Sequence, residues 1–557
     1  MTGYTFNQLF DFTRTTAATF VGSNGLIQTT PASVNLLTFT QEFDNGAWVK
    51  TETSITANTV AAPDGTATAD KFIPSVNATP HYINNSVTAT TAQCTGSVYV
   101  RLDGSAINKV TLYPGSSATF ANFDMATLTV SVEANVTAAS ITAVGGGWYR
   151  LSVTWPAGIT VNTLRLYASS GTIGAAGAAG DGTSGIFIWG AQLQLGSTAT
   201  SYARNNGGLF PPRFDYDPVT LAPRGILIEE QRTNLMLRSE EFDNAVWIKT
   251  AVTVATNATT SPNGAVDADA IIENTSTSAH DVYNSAILAA GAQTFNVYVK
   301  PNGRSWVNLF VFQGGGASNS TWFNVSTGVV GTVPAGTTAS ITPVGNGWYR
   351  CGITFTALAA AASAYVRLAT GDNISSYTGD GTSGIFVWGA QLEAGSFATS
   401  YIPTVASQVT RTADVCTITA PMFAPWYNQN EGTFVVEADS VSIGTAGRTV
   451  LSLAPGSISP TYFHASGTSA NFDGTNLVRS VNTATSNIPA KIGGSYGGGL
   501  SSVLNGGAVA TGAYSGGFSG RTSMPLGEGL GNLNGHIRRI TYYPFRASNN
   551  QLQALST

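Results

Sequence analysis

The sequence predicts an all-β chain of tandem jelly-roll β-sandwich modules, followed by a further β-sandwich at the carboxyl end and preceded by a small amino-terminal anchoring segment. Three observations predict it. Charged residues are only 10% of the 557 positions, and 62 glycines with many Thr, Ser, Ala and Asn take their place, where ordinary globular proteins carry about 25% charge. Short segments alternate apolar and polar residues with period two, are rich in β-branched and aromatic side chains, and end at Gly, Pro and Asn turns. A long stretch of the chain also occurs twice, and a repeat of this length has to be read before any local element.

The composition excludes several classes. Disordered chains lack the aromatic burial that 26 Phe, 20 Tyr and 10 Trp supply. A net charge of −5 with no basic stripe excludes a nucleic-acid partner. Cys94, Cys351 and Cys416 are odd in number and widely spaced without a metal-ligand pattern, so they are expected as buried free thiols. The start, MTGYTFNQLFDFTR, has no cationic stretch followed by an apolar one, so no secretory signal is expected. No apolar run approaches the roughly 18 residues of a membrane span. The expectation is a protein that leaves its cell by lysis or rides on a particle.

The duplication has an offset of 199–200 residues. Asn35-Leu36 and EFDNGAW match Asn234-Leu235 and EFDNAVW, SVYVR from Ser97 matches NVYVK from Asn296, and GGWYR from Gly146 matches NGWYR from Asn346. DGTSGIFIWGAQLQLGSTATSY from Asp181 and DGTSGIFVWGAQLEAGSFATSY from Asp380 agree at 18 of 22 positions. Within each copy the alternating segments, such as SVYVRL, YRLSVTW and GIFIWGAQL, read as strands of an antiparallel sandwich. The expected order is an anchor segment over 1–33, module 1 over 34–202, a connector over 203–233, module 2 over 234–403, a linker over 404–421 and a third unit over 422–557. The connector, with PPRFDYDPVTLAPRGILIEEQRTN, is rich in Pro and paired charges. VTRTADVCTI from Val409 echoes FTRTTAATFV from Phe12. The last ten or so residues are expected to form one helical turn after a final strand.

The linear order NLL, an EFD segment with Trp, APDG, GWYR and WGAQLE-G-ATSYIPT resembles carbohydrate-binding modules of phage virion proteins, and it covers both copies. FTRTTAATFVGSNGLIQT, continued after module 1 as PRFDYDPVTLAPRGILIEEQRTNL, resembles the phage head-spike and tail-fibre family, with module 1 inserted between the two pieces. The third unit is similar to concanavalin A-like, laminin G-like lectin domains through GTFVVEA and GHIRRITYYPFRASNNQLQAL. These resemblances imply a virion fibre or spike subunit, attached to other virion proteins and holding host cell-surface polysaccharide for adsorption. Multivalent display would supply avidity, so a homo-oligomer is expected. Fold alone does not fix function, and a structural decoration protein or a polysaccharide depolymerase are the alternatives.

Sugar recognition needs exposed aromatic faces beside planar polar groups. His81-Tyr82 and His280-Asp281 occupy equivalent places, so His81, Tyr82 and His280 are read as lining a groove, or as making local hydrogen bonds. Trp48, Trp148 and Trp189 pair with Trp247, Trp348 and Trp388 and are expected in the core. Trp306 and Trp322 occur in the second copy alone and are candidates for a sugar platform. Arg101 and Lys300 end equivalent strands and are groove candidates. Arg150 and Arg350 are expected to stack on the preceding aromatic and pair with a buried carboxylate, with glycan contact as the alternative. Asp181 and Asp380, in the DGTSG turns, are weak calcium candidates, since calcium takes six to eight oxygens and an Asp-Gly turn needs no metal. Glu393 is Gln194 in the first copy, so a site using it exists once. No nucleophile elbow, HExxH or P-loop occurs, and the sparse acids form no recognisable glycosidase pair; no enzyme is expected, and module 2 is the better sugar candidate.

Overall fold

The computed structural model describes residues 9–31, 34–115, 119–170, 178–208, 210–313, 319–441, 443, 447–454, 458–463, 466–528 and 532–557. Nearly all its elements are antiparallel strands, grouped into three β-sandwiches of two sheets each.

In module 1 one sheet runs in the spatial order Thr129–Val132, Ala121–Asp124, Lys109–Tyr113, Val161–Ser169, Tyr82–Thr90, Trp48–Thr51. The facing sheet runs Ala138–Gly145, Trp148–Trp155, Cys94–Leu102, Ile186–Leu195, Ala69–Pro74, Thr53–Val60. Alternate residues such as Val98, Val100, Val110, Leu112, Leu164 and Leu166 turn inward and close one apolar core, which the period-two pattern requires. Module 2 repeats this order strand for strand, from Val329–Val330, Thr321–Asn324, Trp306–Gln313, Ala360–Ala369 and Asp281–Leu288 to Ile248–Thr250 in the first sheet. The WGAQ segment common to both copies is a bulge. The ladder shifts register between Trp189 and Gln192, and Gly190 and Gly389 take φ of 61° and 64°, a left-handed conformation that glycine adopts without strain.

Asn35 and Asn234, the first shared residues of the copies, clasp each module shut. Nδ2 of Asn234 donates to the carbonyls of Ala390 (3.0 Å) and Ile402 (2.8 Å), while its Oδ1 accepts from the amides of Met236 and Leu392 (both 3.1 Å). Asn35 does the same with Ala191, Ala203, Leu37 and Leu193. Entry and exit of each module therefore lie side by side.

The segments read in the sequence as anchor, connector and linker carry strands of the third sandwich. Asp11–Thr13 pairs with Val415–Ile418 in one seven-stranded sheet, and Arg213–Tyr216 with Pro223–Ile228 forms the edge of the other, next to Gly535–Tyr543. Ile226, Ile228, Cys416 and Ile418 sit in its core with Phe434, Leu451 and Ile537. This corrects the boundary at 422: the third sandwich is assembled from three stretches of chain, with the two modules departing from it. The carboxyl turn is a helix over Asn549–Leu555, capped reciprocally by Ser548 and Gln551. All three cysteines are buried and free.

A buried charge cluster joins these stretches. Asp414 accepts from Nη1 of Arg14 at 2.8 Å, from Nη2 of Arg213 and from the amide of Glu229 at 2.9 Å. Glu229 accepts from Arg213 at 2.7 Å and, through the Ser400 amide and hydroxyl at 2.7 and 2.6 Å, takes hold of module 2. Arg411 approaches both carboxylates, at 3.5 and 4.0 Å. The side chains of Arg14, Arg213, Arg411 and Asp414 have no exposed surface. Burial pulls Arg14 down to about 10 even with Asp414 beside it. Burial likewise opposes the charge on Glu229, yet Arg411 and Arg213 hold its carboxyl well below the usual range. Arg14 and Arg411 are the arginines of the two echoing segments, so the echo marks two strands meeting at one cluster.

Candidate functional site

The outer face of the Ile248-to-Val330 sheet of module 2 carries an aromatic row. Strand register sets Ile248 opposite Tyr283, Tyr283 opposite Tyr365, and Tyr365 opposite Phe310. Four neighbouring strands at about 4.8 Å each make the row roughly 14 Å long. The Tyr283 and Tyr365 rings stack at 4.6 Å and 30°, and Phe310 lies 5.2 Å from Tyr365. Ile248, Phe312 and Ile287 around them are 47%, 51% and 78% exposed. Large apolar side chains gathered on one solvated sheet face make that face a candidate contact surface.

Polar groups flank the row on both sides. On one side Nε of Arg367 donates to Asp281 at 2.7 Å, with its guanidinium 5.5 Å from the Phe310 ring and 5.6 Å from that of Tyr365. On the other side the hydroxyls of Ser285 and Ser363 lie 3.1 Å apart. Flat apolar rings bordered by fixed donors and acceptors match the amphipathic faces of a pyranose ring.

The structure separates the residues singled out in the sequence. Tyr82, Trp306 and Trp322 lie on equivalent sheets, but Trp322 is only 7% exposed and its Nε1 has no partner. Trp306 is half-buried against Gly331, where a Cβ would come within 2.8 Å of its ring. Trp322 is therefore not an open platform, and Trp306 stands at the margin of the aromatic row. His81 and His280 are corrected as groove residues: they are 2% and 0% exposed. The ring nitrogens of His280 bond the Ala251 and Tyr377 carbonyls at 2.8 and 3.2 Å. Arg101 and Lys300 stand on the opposite sheet of each module; Arg101 lies over Trp148 and Phe187 at 5.3 and 4.9 Å. The six paired tryptophans are buried, as their place in the strands suggested.

Arg150 and Arg350 also differ from expectation. They stack on Tyr99 and Tyr298 of the neighbouring strand, and their hydrogen bonds go to Ser97 and the Thr200 carbonyl, and to Asn296 and the Thr399 carbonyl, not to a carboxylate. Glu393 is fully buried and accepts from Thr399 and Gln391 within its own module. The residues that sequence reading missed, Tyr283, Phe310, Phe312, Tyr365 and Arg367, were recoverable from alternation. Within WVNLFVF, Trp306, Phe310 and Phe312 share one face while Val307, Leu309 and Val311 share the other.

The DGTSG turns close on themselves. Oδ1 of Asp181 accepts from the Thr183 and Ser184 amides (2.8 and 2.6 Å) and Oδ2 from the Ser184 hydroxyl (2.6 Å), and Asp380 repeats the pattern. These bonds, led by that of the serine hydroxyl, hold both carboxyls well below their usual range. Among the described residues no three His, Cys, Asp or Glu side chains gather as a metal site. The expected result is that adding calcium, and then EGTA, leaves the thermal midpoint unchanged by differential scanning fluorimetry.

A cleft of about 440 Å³ separates module 2 from the third sandwich. Its Glu229, Asp215, His536 and Arg350 are all engaged by partners within the chain, so this is a joint rather than an open site.

No family model matches the chain, and no curated protein matches it. Among solved structures it is similar to domains LG4-5 of the mouse laminin alpha1 chain, at 7% identity and a TM-score of 0.18, covering 50% of this chain and 88% of that one. It is also similar to an exo-beta-1,3-galactanase from Phanerochaete chrysosporium with beta-1,3-galactotriose, at 12% identity and a TM-score of 0.16, covering 68% of this chain and 96% of that one. Scores this low assign the chain to no family.

Proposed function

We propose that this chain is a virion fibre or spike subunit that holds host cell-surface polysaccharide for adsorption, with the outer face of module 2 as a contact surface. The observation that carries the glycan reading is the half-buried row Tyr283, Tyr365, Phe310 on the outer face, with exposed Phe312 beside it, bordered by Arg367, Asp281, Ser285 and Ser363. The virion reading rests on the order of sequence motifs shared with phage virion modules. The face binds rather than cleaves: Asp281, the carboxylate within its rows, is held by Arg367, and hydrolysis needs two carboxyl groups across the scissile bond.

Single sugar sites are weak, so display of many copies on a particle suits the reading. The test is a glycan array and a host-adsorption assay with the purified full chain. Phe310→Ala with Tyr365→Ala should lower the affinity for the captured glycan about tenfold, since an aromatic stack contributes roughly 0.5–1.5 kcal/mol per ring. Absence of binding to every host polysaccharide, with adsorption unaltered by deletion of the protein, would sink the proposal. Release of reducing ends from capsule would replace it with the depolymerase reading.

A further inference from the structure

The same face of module 1 has the same backbone and an altered set of side chains. Register places Arg165 where module 2 has Tyr365, Asn84 where it has Tyr283, and Tyr113 where it has Phe310. In the adjoining row Tyr167 replaces Arg367 and Tyr82 replaces Asp281. Arginine and aromatic have exchanged places, and the carboxylate has gone.

The consequence is an arginine without a counter-ion. The Arg165 guanidinium lies 4.4 Å from the Tyr82 ring centre, 5.4 Å from that of Tyr113 and 5.9 Å from that of Tyr167. Its Nη1 donates to the Tyr167 hydroxyl at 3.0 Å, and its Nε has no partner. No carboxylate stands within ion-pair distance of it among the described residues, and every Asp and Glu of the chain is a described residue. The other charged pair on this face, Lys109 with Asp124, is closed on itself. A cation walled by three aromatic rings is poorly hydrated, which strengthens its attraction for an incoming anion. Phenol hydroxyls and the Asn84 amide supply the neighbouring polar groups that a sugar requires.

We infer that module 1 carries a second saccharide site, centred on Arg165, that takes an acidic saccharide with its carboxylate on the guanidinium, while module 2 takes neutral sugar. This extends the glycan reading of the preceding section and depends on it for the saccharide class. The selectivity comes from one difference, Tyr82 against Asp281, since Asp281 occupies the equivalent cation in module 2.

The test is calorimetric titration of the full chain with a panel of acidic oligosaccharides, namely oligogalacturonate, oligoglucuronate and sialyllactose, each beside its carboxyl-esterified or carboxyl-reduced form. At least one acid should bind about tenfold more tightly than its neutral form, the size of a charge-assisted hydrogen bond, and the excess should shrink with added salt. Arg165→Gln should abolish that excess, Arg165→Lys should keep part of it, and both should leave neutral-sugar binding at Phe310 unaltered. Asp281→Asn, which frees Arg367, should create an acid preference in module 2; no such gain overturns the assignment of selectivity to the counter-ion. Equal binding of acidic and neutral forms, or an acid preference that survives Arg165→Gln, overturns the inference and leaves the module 2 reading standing. An Arg165-dependent acid preference without any Phe310-dependent binding does the reverse, and no binding of either kind overturns both.

Discussion

Asp414→Asn is expected to destabilise the third sandwich by about 3–5 kcal/mol, the usual cost of removing one partner from a buried ion cluster. Three arginines now face two carboxylates, Asp414 and Glu229; the substitution leaves them facing Glu229 alone, with the excess charge on side chains that have no exposed surface. Asp414 also accepts the Glu229 amide, so the loss reaches the connector strand. Because Arg14 loses its carboxylate, the strand Asp11–Thr13 should detach first and trypsin should cut after Arg14 before any cut in the modules. Urea denaturation followed by tryptophan fluorescence measures the stability, and a loss below about 1 kcal/mol would show that the cluster is not what holds the stretches together.

Raising the pH should loosen the same joint. His536 is buried between two carboxylates, with Nδ1 2.8 Å from Asp439 and Nε2 2.9 Å from Asp215. Burial disfavours its charge, but the two hydrogen-bonded carboxylates outweigh burial and raise it to about 9. Its folded value therefore lies above the unfolded value near 6.5. The stability it contributes is fully present below about pH 6.5, declines between there and pH 9, and is absent above, on the order of 3 kcal/mol in all. Asp439 runs the other way: burial works against its ionisation, the His536 bonds win and hold it low, and its contribution disappears as acid protonates it. Urea midpoints between pH 6 and 10 should fall for the native chain and stay nearly flat for His536→Asn. A native profile as flat as the variant's would exclude this linkage.

Strands and duplication were legible because each rests on a local signal, the period-two alternation and the recurrence of whole motifs. The core tryptophans followed from their place inside apolar strands. Sheet register is different: it is set by pairing between distant strands, and no local pattern reports that Tyr283, Tyr365 and Phe310 form one row. Trp306 and Trp322 marked the sheet that carries the aromatic row through their absence from the other copy, yet Trp322 is buried and Trp306 packs against Gly331. The histidines misled because a polar residue in a strand reads the same whether it meets solvent or a backbone carbonyl. The discontinuous third sandwich was hidden because Asp11–Thr13 is three residues long, too short to show alternation. Its trace in the sequence was chemical, in the paired charges of the connector and the echoing arginines.

The division of the third sandwich among distant stretches sets an order of assembly. Arg14 and Asp414 are 400 positions apart, and a flexible chain of that length meets its own end slowly. Each module, however, draws its strands from one continuous stretch and can finish while the remainder of the chain is still being made. Once Asn35 and Asn234 have clasped their modules, the long intervening stretches behave as short connections between neighbouring points, and the entropy of bringing the ends together falls accordingly. Two completed insertions thus act as the scaffold on which the sandwich that carries them is put together last.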